Sequence, residues 1–207
     1  GVVTRMTVWL KRRPHRFTTV MALVRDDRQL SETAEAVHRL VENGIVPPNS
    51  CSFWNTYKFA ASHVRCPPDP GGRGLTESDL DTLLPRGLRG IRWLTTLGLY
   101  SPSALHDRAS VREVRRALRG RCERAIVLGG WRARLYRRFP ALGSRVLGLD
   151  AEGLIRAFYT RSVFLGYPTE MSIRSVYWRK KGGVPPVIDP NRDRCGLLWL
   201  CHVLPFR

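Results

Sequence analysis

The sequence predicts an α+β fold with an antiparallel sheet, and three observations carry that expectation. Apolar runs of strand composition stand near both ends of the chain, at residues 2–10 and 197–203. Two strands and an amphipathic helix follow one another over residues 2–44, and Pro47-Pro48 then introduces another extended stretch. The composition is that of a packed domain: 207 residues, 43% hydrophobic and 25% charged, enough for one ordinary core and against wholesale disorder.

The first strand, residues 2–10, alternates through Val2, Met6, Val8 and Leu10 and stops at Lys11-Arg12-Arg13-Pro14, where proline removes a backbone donor. Residues 17–24, rich in Thr and Val, form the second. Ser31 is the expected N-cap of a helix with Glu32 and Glu35 in its first turn and Ala34, Val37, Leu40 and Val41 on its apolar face; Gly44 stops it. Residues 66–74 are the clearest loop, Pro- and Gly-rich but without the Gly-Lys-Ser/Thr ending of a phosphate loop. Thr76, with Ser78 and Asp79, opens a short helix that runs to Leu84 and stops at Pro85. Residues 91–100 read as a strand, Ser110 as the cap of a basic helix over 111–118, and 125–128 as a short strand. Residues 135–148 are apolar and basic without a clean period and suggest a lid. Leu154, Ile155 and Phe158 have helical spacing until Gly166-Tyr167-Pro168-Thr169 breaks it, and 182–194 is a second Pro- and Gly-rich loop. The whole of 1–207 reads as one domain without internal repeats.

The formal net charge is +18, and 31 of the 35 cationic side chains are arginine, the lysines being Lys11, Lys58, Lys180 and Lys181. Knots of charge stand at 11–13, 115–124, 132–138 and 179–181, but no aromatic RNA-binding motif, zinc-finger spacing or recognition helix accompanies them. No specific nucleic-acid partner is expected, and any duplex binding should be weak and collapse with modest salt. The longest apolar run, 195–206, is too short for a bilayer and contains His202 and Pro205. With no signal segment ahead of Gly1, the chain is expected in the cytoplasm and off the membrane; opening inside a strand, it reads as a piece of something longer. The five cysteines, Cys51, Cys66, Cys122, Cys195 and Cys201, are odd in number and contain no Cys-x-x-Cys. His63 precedes Cys66 by three residues and Cys201 abuts His202, but neither pair has a second half at ligand spacing, so reduced thiols and no metal are expected.

No nucleophile elbow, zinc-protease motif or dinucleotide fingerprint is present, and no carboxylate pair stands out as acid and base. Cys201 and His202 are neighbours on an expected strand, where successive side chains point to opposite faces, which argues against a nucleophile–base pair. No residue is assigned as catalytic.

Several segments, taken in order, carry more. The chain opens Gly1-Val2-Val3-Thr4-Arg5-Met6-Thr7-Val8-Trp9-Leu10. Ser52-Phe53-Trp54-Asn55-Thr56-Tyr57 follows, then Trp93 to Tyr100, then Gly166-Tyr167-Pro168-Thr169, Tyr177-Trp178-Arg179, and finally 193–205 with Leu197, Trp199, Cys201 and His202. This series resembles the vanillyl-alcohol oxidase / 4-cresol dehydrogenase (p-cresol methylhydroxylase) flavoproteins, over their substrate-binding cap.

The resemblance implies a ferredoxin-like α+β cap with helices on one face of the antiparallel sheet. The other face would cover a flavin and a phenolic or alcohol-type substrate, with hydride passing to the flavin. Tyr177, Trp178, Arg179, Leu197, Trp199 and Cys201 become the candidates for lining that pocket; by alternation Leu197, Trp199, Cys201 and Val203 share a face. FAD is implied without a covalent bond to this segment, because Leu197 falls where relatives carry a tethering histidine and His202 falls on a proline. The family's FAD-binding domain has no counterpart here, so the resemblance implies that another chain or a second copy completes an oligomer. The rival reading is a flavin-free remnant that binds a ligand or partner, or steers a non-redox ring closure.

Overall fold

The computed structural model describes residues 14–63 and 76–160. The expected strands at 2–10 and 197–203 and the loops at 66–74 and 182–194 lie outside the described residues.

Four strands, β1 (Arg16–Val24), β2 (Cys51–Asn55), β3 (Trp93–Ser101) and β4 (Arg124–Leu128), form one sheet in the order β2-β3-β1-β4, with every neighbouring pair antiparallel. β1 lies inside, pairing Val20 with Leu97 of β3 and with Val127 of β4. It is buried from Thr18 to Val24, so after two buried threonines its sequence runs apolar from Val20 to Val24 rather than alternating.

Both faces of the sheet carry helices, where one was expected, because β1 and β3 present apolar side chains on both. On one face Val20, Ala22, Leu97 and Leu99 meet Val37 and Leu40 of α1 (Asp27–Glu42) and Val114 and Leu118 of α4 (Ala104–Leu118). On the other, Met21, Leu23, Leu94, Ile126 and Leu128 meet a larger cluster. It draws on α2 (Thr56–His63), α3 (Glu77–Leu83), α5 (Gly130–Arg138), α6 (Pro140–Leu147), α7 (Ala151–Ile155) and the wide turn Arg156–Thr160.

Two helices begin earlier than their apolar period suggests. The side chain of Asp26 accepts from the Gln29 N–H at 2.8 Å and starts α1 at Asp27, ahead of Ser31. Ser103 does the same for His106 at 3.2 Å and starts α4 at Ala104, ahead of Ser110. In each case the cap fixes the start, and the first turn faces water, so it adds nothing to the apolar period; in α4 it even exposes Leu105. Thr76 and Asp79 form the reciprocal capping box expected of α3. The segment expected as a lid is instead two helices, α5 and α6, divided at Pro140, where proline fits the first turn of the second.

Candidate functional site

The pocket candidates Tyr177, Trp178, Arg179, Leu197, Trp199 and Cys201 all lie outside the described residues. Among the described residues no group of His, Cys, Asp and Glu could hold a metal ion, and no helix is long and apolar enough to cross a membrane. Two other regions have chemistry of their own.

The first lies across β2, β3 and β1 on the face that carries the larger cluster. The register sets Ser52 opposite Thr96 and Trp54 opposite Leu94. The Trp54 indole N–H donates to Ser52 Oγ at 2.7 Å, and the Ser52 and Thr96 hydroxyls bond at 2.6 Å. The Phe158 ring meets Trp54 edge-on at 6.2 Å, Lys58 Nζ stands 5.0 Å from the Trp54 ring centroid, and the Thr19 hydroxyl donates to the Phe158 carbonyl. The Trp54 N–H is thus held on Ser52, and the row orients Trp54 on the sheet. Further along, Phe17 and Tyr100 form a cross-strand aromatic pair with ring centroids 5.4 Å apart. Burial pushes the Tyr100 phenol above its ordinary pKa and keeps it protonated at neutral pH.

The second region is a basic furrow between α4 and β4. Arg108, Arg112 and Arg115 recur at helical spacing on one side of α4, with Arg119 just past its end; all four are exposed and have no ion-pair partner among the described residues. Two cavities of about 800 and 410 Å³ meet at Arg108, Val111 and Arg115. The larger joins the end of α4 to Arg124 and Ala125; the smaller joins its beginning to Val127, Gly129 and the exposed Trp131. At that end Thr18 donates to Asp107 Oδ2 at 3.1 Å, while the buried Asp107 Oδ1 has no partner. Gly129 presses so closely on Thr18 that a Cβ there would lie 2.2 Å from its hydroxyl oxygen. Sequence reading found the charge of 115–124 but not the furrow, because its wall starts at Arg108, in a turn with no apolar period.

No protein-family model matches the chain. It is 34% identical over 206 residues to the 1'-carboxy-chondrochloren decarboxylase of Chondromyces crocatus, which covers 99% of this chain and 38% of that protein. Among solved structures it is similar to p-cresol methylhydroxylase with substrate bound, at a TM-score of 0.57. It is also similar to the 4-ethylphenol oxidase of Gulosibacter chungangensis in its isoeugenol complex, at 0.56. Both are 17% identical to it and cover 84% of this chain against 30% of their own. The chain thus has the α+β, antiparallel-sheet fold of a part of those enzymes and spans well under half of each relative's length.

The described residues do not by themselves fit a flavin. The sheet face that carries Trp54 is filled by the cluster ending at Phe158, and the two open cavities by β4 are walled by arginines with Trp131 as their one aromatic side chain. No step through a flavin is derived from them.

Proposed function

We propose that the chain is the cap portion of an FAD-dependent oxidoreductase of the vanillyl-alcohol oxidase type, acting on a phenolic or alcohol-type small molecule. The observation that carries this reading is the fold match over 84% of the chain to two enzymes named for p-cresol and 4-ethylphenol. The relative at 34% identity over nearly the whole chain is named for a decarboxylation and leaves the oxidative step to the test below. FAD is held by a partner, either another part of the polypeptide, another chain or a second copy. The segment supplies the pocket wall from the segments singled out in its sequence, with Tyr177, Trp178, Arg179, Leu197, Trp199 and Cys201 as lining candidates.

The decarboxylase relative favours a second reading, in which the substrate carries a carboxylate that is lost. A flavin-free remnant, binding a ligand or closing a ring without redox chemistry, is the rival outside that class.

The test is purification of the protein from its own host through a tag on this segment, followed by intact mass and an absorbance spectrum. The reading expects a two-band flavin spectrum that bleaches anaerobically with a 4-alkylphenol, an aryl alcohol or a carboxylated analogue. A colourless, homogeneous chain inert to all three would overturn it in favour of the flavin-free remnant.

A further inference from the structure

Three elements bring arginines to one small cavity. Arg16 opens β1, Arg108 and Arg115 stand about two turns apart on α4, and Arg132 and Arg134 lie near the start of α5. All five line the cavity of about 410 Å³ beside Val127, against a single acidic side chain, Asp107. Every residue of that lining is a described one.

The floor of this cavity is fixed by the fold. Thr18 of β1 donates to Asp107 Oδ2 of α4 at 3.1 Å, and Asp107 Oδ1 is buried, so the acidic group ties the two elements together. Gly129, without a side chain, lets α5 begin directly against Thr18. The arginines therefore stand on three elements already bound to one another, and their mutual repulsion is built in. An anion placed among them relieves that repulsion without ordering the backbone that carries them.

The wall is not charged alone. Trp131 is 63% exposed, although tryptophan is highly buried on average, and the Arg132 guanidinium stands 5.5 Å from its ring centroid. Ala104, Val111 and Val127 add apolar surface. A bare inorganic anion would use none of this; a ring that carries an oxyanion uses both parts, its plane on the apolar wall and its oxygens on the guanidinium forks. The volume is at the low end for ligand pockets, on the order of 300–1,000 Å³, and suits one or two rings.

We propose that this cavity binds a small aromatic molecule of one or two rings that carries an oxyanion, a carboxylate or a phosphate monoester. The inference does not depend on the flavin reading, and its test has no redox readout.

Calorimetric titration of the protein purified from its own host tests it, with 2-naphthoate, 2-naphthyl phosphate, 2-naphthamide and inorganic phosphate as probes. Naphthoate or naphthyl phosphate should bind saturably and more weakly as salt rises, the tighter of the two identifying the anion. The uncharged amide and inorganic phosphate should each bind at least about tenfold more weakly than that ligand. Photolabelling with 4-azidobenzoate or 4-azidophenyl phosphate, whichever carries the preferred anion, locates the site without any variant. The label should fall within residues 104–115 and 127–134 and be displaced by the tighter naphthyl ligand. Arg108→Gln with Arg115→Gln, both exposed, should weaken binding by about tenfold or more at unchanged circular dichroism. No saturable binding of either naphthyl anion, equal binding of the amide or of inorganic phosphate, label absent from both stretches, or an unchanged affinity in the double variant would overturn the proposal.

Discussion

Among the described residues β2 and β4 are the outer strands of one sheet, and their compositions differ. β2 reads Cys51-Ser52-Phe53-Trp54-Asn55, leaves Phe53 and Asn55 exposed, and runs straight into α2, where Asn55 Oδ1 accepts from the Lys58 N–H at 2.8 Å. Its polar side chains and the Lys58 cation beside Trp54 are the usual protection of an exposed edge. β4 places four apolar residues in succession and turns through Gly129-Gly130 into α5. The difference teaches that outer strands of one described sheet carry unlike burial: β2 exposes Phe53 and Asn55, while β4 follows Arg124 with four apolar residues, two of them buried.

Substitutions at the two edges should break that comparison if it is wrong. Leu128→Ala, at a fully buried site, should cost about 2–5 kcal/mol in chemical unfolding. Phe53→Ser, at a side chain 39% exposed, should cost within about 1 kcal/mol. Equal losses would remove the distinction.

Next in size is the turn after β4. Gly129→Ala drives a methyl into the buried Thr18 side chain and should cost about 1–3 kcal/mol by overpacking. Adding Thr18→Ala should recover part of that loss; simple additivity in thermal melts would show that the contact is not the cause.

The caps sharpen the account of the furrow wall. Ser103→Ala and Asp26→Ala should each cost about 0.5–2 kcal/mol, whereas Ser110→Ala and Ser31→Ala, inside the helices, should change stability little. The reverse ranking in urea titrations would restore the later helix starts.

The smallest effect is a pH dependence at both edges. Cys51 begins β2 and Cys122 lies two residues before β4, and burial raises both thiols above their ordinary value. The folded state holds these protons more tightly than the unfolded chain. Their contribution is therefore complete below the unfolded thiol pKa of about 8.5 and falls as pH rises through the folded value. Stability should decline slightly above that pH, and iodoacetamide should label both thiols more slowly than a peptide thiol at pH 8.5. Labelling at the peptide rate would contradict the burial.

Much of the fold was legible because strands announce themselves by composition. Residues 17–24, 91–100 and 125–128 fall within β1, β3 and β4 to within two residues at each end. Thr76 and Asp79 gave α3 through cap chemistry. The starts of α1 and α4 were not legible by period, because their first turns face water. The division of 135–148 into α5 and α6 was hidden because short helices packed end to end leave no sustained stripe. The furrow was illegible for another reason: it needs Arg108 on α4 and Ala125 on β4 brought together across the fold, and composition records only that arginines are plentiful. The pocket candidates from 177–201 rest on resemblance alone.

Amide hydrogen exchange with mass spectrometry on the protein tests the unlike strands most directly. The account predicts slower exchange across residues 124–128, where Ile126 and Leu128 are buried, than across residues 51–55, where Phe53 and Asn55 are exposed. Equal exchange in the two strands, or slower exchange at 51–55, would contradict it.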